Sequence, residues 1–189
     1  MAPPNESVNS LQELTYETGE KMKLHRLDRQ QMVKKPIGDV FEFFEKPENL
    51  ALITPPSLGF EIITPLPIEM KTGTLIDYTV KVQGIPVRWT TMITEHDPPH
   101  KFVDVQLKGP YAFWHHTHTF KEVEGGTLMS DRVQYILPFG FLGRLVHALS
   151  VEGQLKHIFD YRGKIIEEQF AKDIKDMPST EDLEKMAKE

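Results

Sequence analysis

The side chains best suited to chemistry lie within residues 114–120, which read Trp-His-His-Thr-His-Thr-Phe. Successive side chains of a β-strand point to opposite faces, so Trp114, His116, His118 and Phe120 are predicted to share one face. The aromatic residues at both ends of this set indicate that the face is the inner one. Two imidazoles on an inner face need polar partners, because a buried polar group without a hydrogen bond costs free energy.

Asp131 is the predicted partner of these histidines. It is the polar member of an otherwise apolar alternation along the last predicted strand, residues 127–137. The hairpin turn Val-Glu-Gly-Gly at residues 123–126 sets the register, and counting outward from it places His118 opposite Asp131. Directly opposed residues lie about 4.5–5.5 Å apart at Cβ, so we expect these two side chains to touch.

The group His116, His118 and Asp131 has three interpretations. It is a buried network that fixes the register of two strands, or it orients a bound ligand, or it provides acid–base catalysis. All three residues are therefore candidate ligand contacts and candidate catalytic residues. The sequence has no Gly-x-Ser-x-Gly nucleophile turn and no glycine-rich phosphate loop that would point to another chemistry.

A metal site is the remaining possibility for a His-x-His pair on a strand. Two imidazoles and one carboxylate hold zinc or iron in some β-barrel enzymes, and the third ligand here would be Asp131 or Asp104. Nothing in the spacing requires such a site, so we predict no metal and no other cofactor. The chain is long enough for a sizeable core, and we expect it to fold without a metal ion.

The candidate residues belong to a predicted sheet that packs against one long helix. Residues 24–33 form the first strand, and two short helices follow within 36–53. Apolar alternation marks six further strands between residues 60 and 137, and helical spacing of apolar residues runs from 139 to about 174. The apolar residues before and after Gly153 fall on different faces of a single helix, which predicts either a bend or a short first helix before the long one.

A curved sheet around one helix leaves a wedge between them, which is the predicted ligand site. Large aromatic residues at inward-facing positions predict that this wedge is an enclosed, mostly apolar cavity. The predicted ligand contacts are Tyr78, Trp89, Trp114, His116, His118, Asp131, Tyr135 and Phe159.

Length and composition are those of an ordinary globular domain. The 189 residues are 39% hydrophobic and 26% charged, and the net charge of −6 argues against nucleic acid as a partner. The sequence has no long apolar run for stable membrane insertion, no cysteine and no signal peptide, so a cytoplasmic location is expected. We predict a flexible N-terminal arm over residues 1–22, a folded domain over 23–175 and a charged tail over 176–189.

Short motifs lie on the predicted turns, strands and final helix. They are Asn49-Leu50, Ile53-Thr54-Pro55-Pro56, Gly84-Ile85-Pro86, Asp97-Pro98-Pro99, Phe102-Val-Asp104-Val-Gln106, Gly109-Pro110-Tyr111, the stretch 114–120, Gly125-Gly126-Thr127, Asp131, Tyr135, Leu137-Pro138-Phe139-Gly140 and Ile158-Phe159-Asp160-Tyr161-Arg162. Together they resemble a bacterial branch of the START-like, or SRPBCC, superfamily, near its polyketide cyclase/dehydrase and coenzyme-Q-binding members. Related domains also occur fused to epimerase-like proteins.

The resemblance covers about residues 23–170 and implies the α+β helix-grip fold. In that fold a curved antiparallel sheet of about seven strands surrounds a long C-terminal helix, with two short helices after the first strand. The resemblance also implies a cavity for a hydrophobic small molecule or lipid, and we predict binding without chemistry. The alternatives are a cyclase, dehydratase or hydrolase that uses the His116/His118/Asp131 group, or an interaction module for a separate epimerase-like protein.

The strand predicted at residues 101–107 stays undecided. Periodicity places Val103 and Val105 on its inner face, whereas the resemblance singles out Phe102, Asp104 and Gln106.

Overall fold

Eight antiparallel strands form one curved sheet. The computed structural model describes residues 12–15, 21–82, 84–138 and 151–171. The strands are β1 (Gln12–Thr15), β2 (Lys21–Val33), β3 (Glu61–Ile62), β4 (Leu75–Val82), β5 (Ile85–Asp97), β6 (Lys101–Lys108), β7 (Phe113–Val123) and β8 (Gly126–Ile136). Their order across the sheet is β1-β2-β8-β7-β6-β5-β4-β3, so the first long strand pairs with the last strand of the chain.

The β7–β8 hairpin has the predicted register. His118 lies opposite Asp131 and Trp114 lies opposite Tyr135, which confirms that the two apolar alternations meet on one face. Glycine is required at the end of the turn, because Gly126 has φ 146° and a Cβ built there would overlap the carbonyl oxygen of Val33.

The segment between β2 and β3 contains one α-helix rather than two. Helix α1 (Ile37–Glu45) begins directly after Pro36, whose fixed φ suits the start of a helix. The second predicted helix is replaced by two turns of 3-10 helix, Pro47–Leu50 and Pro56–Leu58. Each of these turns begins with a proline, which lacks the N–H needed to continue a preceding α-helix.

Helix α2 (Glu152–Ala171) packs against the inner face of the sheet. Its buried residues recur every three or four positions and are Leu155, Phe159, Arg162, Ile166 and Phe170. Gly153 lies in its first turn, and the predicted helical stretch at residues 139–150 lies outside the described residues. Neither α1 nor α2, the α-helices of the described residues, is both long and apolar enough to cross a membrane.

Strand β1 differs from the sequence expectation for its part of the chain. Residues 1–22 were predicted as a flexible arm, but Gln12–Thr15 pairs with β2 at residues 21–24. Pairing at a sheet edge uses backbone hydrogen bonds, which a polar composition does not prevent.

Two apolar clusters fill the space between the sheet and the helices. One contains α1, the C-terminal half of α2 and core residues such as Val40, Phe120 and Ile166. The other contains the N-terminal half of α2 and the aromatic residues Trp89 and Trp114. A curved antiparallel sheet that holds a C-terminal helix is the helix-grip fold, as predicted.

Candidate functional site

A cavity of ≈ 190 Å³ lies between α2 and strands β4 to β7. Tyr78, Trp89, Trp114 and Phe159 line it, which are four of the five aromatic residues predicted to do so. The fifth, Tyr135, is not part of the lining and packs against Trp114, with ring centroids 6.1 Å apart. The predicted wedge between sheet and helix is therefore present, and its lining is mostly apolar with several aromatic residues.

The cavity opens to the protein surface near the end of α1. Lys46 and Lys81 belong to its lining, and both are exposed, with 58% of the Lys46 side chain accessible. Among the described residues the cavity is therefore only partly enclosed, whereas the sequence predicted an enclosed one. Strand parity shows which side chains face inward, but it does not show whether the surrounding loops close over them.

Two imidazoles lie between two carboxylates in the wall of the cavity. His116 Nε2 lies 3.0 Å and His118 Nδ1 lies 2.8 Å from Asp131 Oδ1. On the opposite side, His118 Nε2 lies 3.1 Å and His116 Nδ1 lies 3.5 Å from Asp104 Oδ2. The 3.0 Å and 3.1 Å contacts are hydrogen bonds, whereas the 2.8 Å contact lies off the direction of the ring N–H and is electrostatic.

Only part of this group faces the cavity. Asp104, His116 and His118 belong to the cavity lining, whereas Asp131 lies behind the two histidines and is 3% exposed. Of the predicted ligand contacts, Asp131 and Tyr135 therefore do not reach the cavity surface. Asp131 instead holds the histidine rings from behind.

The sequence left Asp104 undecided, and pairing between strands explains its position. Asp104 lies opposite His116, and Phe102 lies opposite His118, so the even-numbered residues of β6 share the inner face. Periodicity could not show this, because Phe102 and its neighbour Val103 are both buried and both faces of β6 look apolar. The resemblance, which singled out the even-numbered residues, gave the correct face.

Burial and mutual contact set the charges of this network. Burial alone would raise the pKa of Asp104 and of Asp131, but the two histidines hold the pKa of each below its ordinary value. Burial also opposes charge on His118, yet the two carboxylates outweigh it and raise the pKa of His118. For His116, burial and repulsion from His118 prevail and lower its pKa. Of the two histidines, His118 is therefore the one that is more readily protonated.

Arg162 brings a second buried cation to the cavity. This residue of α2 is 8% exposed and belongs to the cavity lining. Its guanidinium carbon lies 4.9 Å from the ring centroid of Phe159, one helical turn away. Among the described residues its Nε has no hydrogen-bond partner and the side chain forms no ion pair. Sequence reasoning missed Arg162 as a site residue, although the motif at residues 158–162 contains it.

Neutral polar groups complete the wall. The Tyr78 hydroxyl lies 3.2 Å from Thr91 Oγ1, and burial raises the pKa of Tyr78 and of Tyr111, so both phenols stay protonated. Gln106 positions Tyr111, because its Nε2 donates to the Tyr111 carbonyl at 2.7 Å and its Oε1 accepts from the Tyr111 N–H at 3.3 Å. Gln106 thus acts on the site through Tyr111.

No protein-family model and no curated protein matches the chain. Solved structures do match it. Protein CV1439 from Chromobacterium violaceum has a TM-score of 0.60 at 14% identity, over 78% of this chain and 98% of that chain. Protein Ms6760 from Mycobacterium smegmatis has a TM-score of 0.58 at 15% identity, over 87% of this chain and 98% of that chain. Ara h 8.0201 has a TM-score of 0.56 at 15% identity, over 78% of this chain and 98% of that chain. At these identities the likeness shows the fold alone.

Proposed function

We propose that the protein binds an apolar small molecule, lipid-like or polycyclic, that carries a polar group at one end. The observation that carries this proposal is the open cavity of ≈ 190 Å³, which is walled by aromatic and aliphatic side chains. Ligand sites are typically concave and mostly apolar, with a few polar groups that fix orientation. As part of the same proposal, we place the protein in the cytoplasm and near the polyketide-cyclase-like branch of the SRPBCC superfamily.

The polar residues favour one orientation of the ligand. Asp104 is hydrogen-bonded to His118, and the charge of Arg162 helps to lower its pKa, so these three lining residues form one polar region. Trp89 and Ile76 provide apolar surface. A purely apolar molecule would leave the buried Nε of Arg162 without a hydrogen-bond partner among the described residues, which is costly. A ligand with one hydrogen-bonding end and an apolar body satisfies both parts of the lining.

Native mass spectrometry of the purified protein tests this proposal, because a retained small molecule would appear as added mass. Val80→Phe should fill part of the cavity. It should reduce both the fraction of protein that carries the added mass and the binding of an environment-sensitive apolar dye. Val105→Phe is the matched control, since Val105 lies on the opposite face of the sheet and outside the lining. Equal dye binding by the two variants would contradict a ligand site in this cavity.

One observation favours a second candidate function, a hydrolase, dehydratase or cyclase. His118 has a raised pKa and belongs to the cavity lining, so it could donate a proton to a bound substrate. His118→Gln should then abolish turnover of a panel of esters and hydroxy-ketones while leaving dye binding intact. No turnover by the wild type across the panel would leave the binding function alone.

A further inference from the structure

We propose that Asp104, His116 and His118 form a binding site for a divalent transition-metal ion, either zinc or iron(II). Each of the three residues offers one donor atom, and these atoms all lie within 4.8 Å of one another. The donor set of two imidazole nitrogens and one carboxylate oxygen is the one that such ions accept in proteins. The proposal is independent of which molecule occupies the cavity.

The distances from the Asp104 oxygen to the two histidine nitrogens are similar to those between neighbouring ligand atoms of a metal ion. Asp104 Oδ2 lies 3.1 Å from His118 Nε2 and 3.5 Å from His116 Nδ1. Bonds of about 2.0–2.1 Å to zinc in a tetrahedral arrangement separate neighbouring donors by about 3.3–3.4 Å. The two separations from the Asp104 oxygen are therefore close to those of a zinc site, and the third, between the two histidine nitrogens, is at most 4.8 Å and would have to shorten as the ion binds.

One of these contacts is not a hydrogen bond and would suit a cation. When His116 donates its Nε2–H to Asp131, its Nδ1 carries a lone pair that faces the Asp104 oxygen at 3.5 Å. Two acceptors then lie 3.5 Å apart with no hydrogen between them. If Nδ1 is protonated instead, 3.5 Å is too long for a good hydrogen bond to a carboxylate. A positive ion between the two groups satisfies both.

Asp131 supplies the outer support that histidine ligands of metals usually have. The nitrogens turned away from Asp104, His116 Nε2 and His118 Nδ1, both lie within 3.0 Å of Asp131 Oδ1. A carboxylate hydrogen-bonded to a ligating imidazole fixes its tautomer and ring orientation, which applies here to His116, whereas the contact with His118 is electrostatic. Because Asp131 is outside the cavity lining and the three proposed ligands are inside it, open coordination positions would face the cavity.

Cobalt(II) is the probe for this site, since it takes zinc-like geometry and is coloured. Full-length protein stripped with a chelator should bind one equivalent of Co²⁺, with visible absorption bands that zinc abolishes. Asp104→Asn and His118→Gln should each weaken binding at least about 100-fold, and Asp131→Asn should weaken it about 10- to 100-fold. His157→Gln, which changes an exposed histidine of α2, is the control and should bind like the wild type.

Two results would overturn the proposal. One is the lack of any saturable Co²⁺ or Zn²⁺ binding by the wild type. The other is binding that persists unchanged in Asp104→Asn and His118→Gln, which would assign the metal to surface histidines. If circular dichroism shows that those variants do not fold, X-ray absorption spectroscopy at the zinc edge of the zinc-loaded wild type identifies the ligands instead. Two imidazoles and one carboxylate are expected as the protein ligands, with water in the open positions, and any other set of protein ligands contradicts the site.

Discussion

Leu155 and Ile166 lie on the same face of α2 but contact different parts of the interior. They are eleven positions apart, or about three helical turns, and are 4% and 0% exposed. Leu155 belongs to the lining of the cavity, whereas Ile166 belongs to the packed cluster beneath α1 and is outside that lining. Truncating each side chain to alanine should therefore have different costs.

Ile166→Ala should lower the free energy of unfolding by about 4 kcal/mol, near the upper part of the range for buried aliphatic residues. Leu155→Ala should cost about 2.5 kcal/mol, because part of its side chain already faces empty space and loses fewer contacts. The difference of about 1.5 kcal/mol corresponds to roughly 3–6 °C in Tm for a domain of this size.

Urea unfolding followed by circular dichroism measures these costs, using protein refolded from denaturant so that no ligand is retained. Glu167→Ala, an exposed change on the same helix, should stay within about 0.5 kcal/mol of the wild type. Equal costs for Leu155→Ala and Ile166→Ala would refute the reasoning, because they would mean that side chains fill the cavity in solution.

Two further perturbations test the sheet. Gly126→Ala should destabilise the protein by at least about 3 kcal/mol and broaden the NMR signals of the β7–β8 turn, because its φ is positive and the new Cβ would overlap the carbonyl of Val33. Asp28 is bound by Arg26 and Arg132, each at 2.9 Å; burial opposes its charge, but these contacts lower its pKa. Asp28→Asn should therefore cost up to about 1 kcal/mol at neutral pH, and in acid titrations the difference should vanish as pH falls below about 4.

The register of β7 and β8 could be predicted from the sequence because a short hairpin turn ties two strong alternations together. His118 and Asp131 were placed correctly on that basis. The position of Asp104 could not be predicted from periodicity, since it depends on how β6 pairs with β7 and both faces of β6 carry apolar residues. Arg162 was missed because a charged residue on an amphipathic helix is normally exposed, whereas this one is buried beside the cavity.

The different surroundings of the two halves of α2 have a consequence for motion. The C-terminal half, around Ile166 and Phe170, rests on a dense core, whereas Leu155 and Phe159 in the N-terminal half lie against the cavity. Local opening costs least where the fewest packed contacts must break. Backbone amides of residues 155–159 should therefore exchange with deuterium faster than those of residues 166–170, and an occupied cavity should slow only the first group. Under the proposed binding function, opening of the N-terminal half of α2, with the C-terminal half in place, is the movement that would give a ligand access to the cavity.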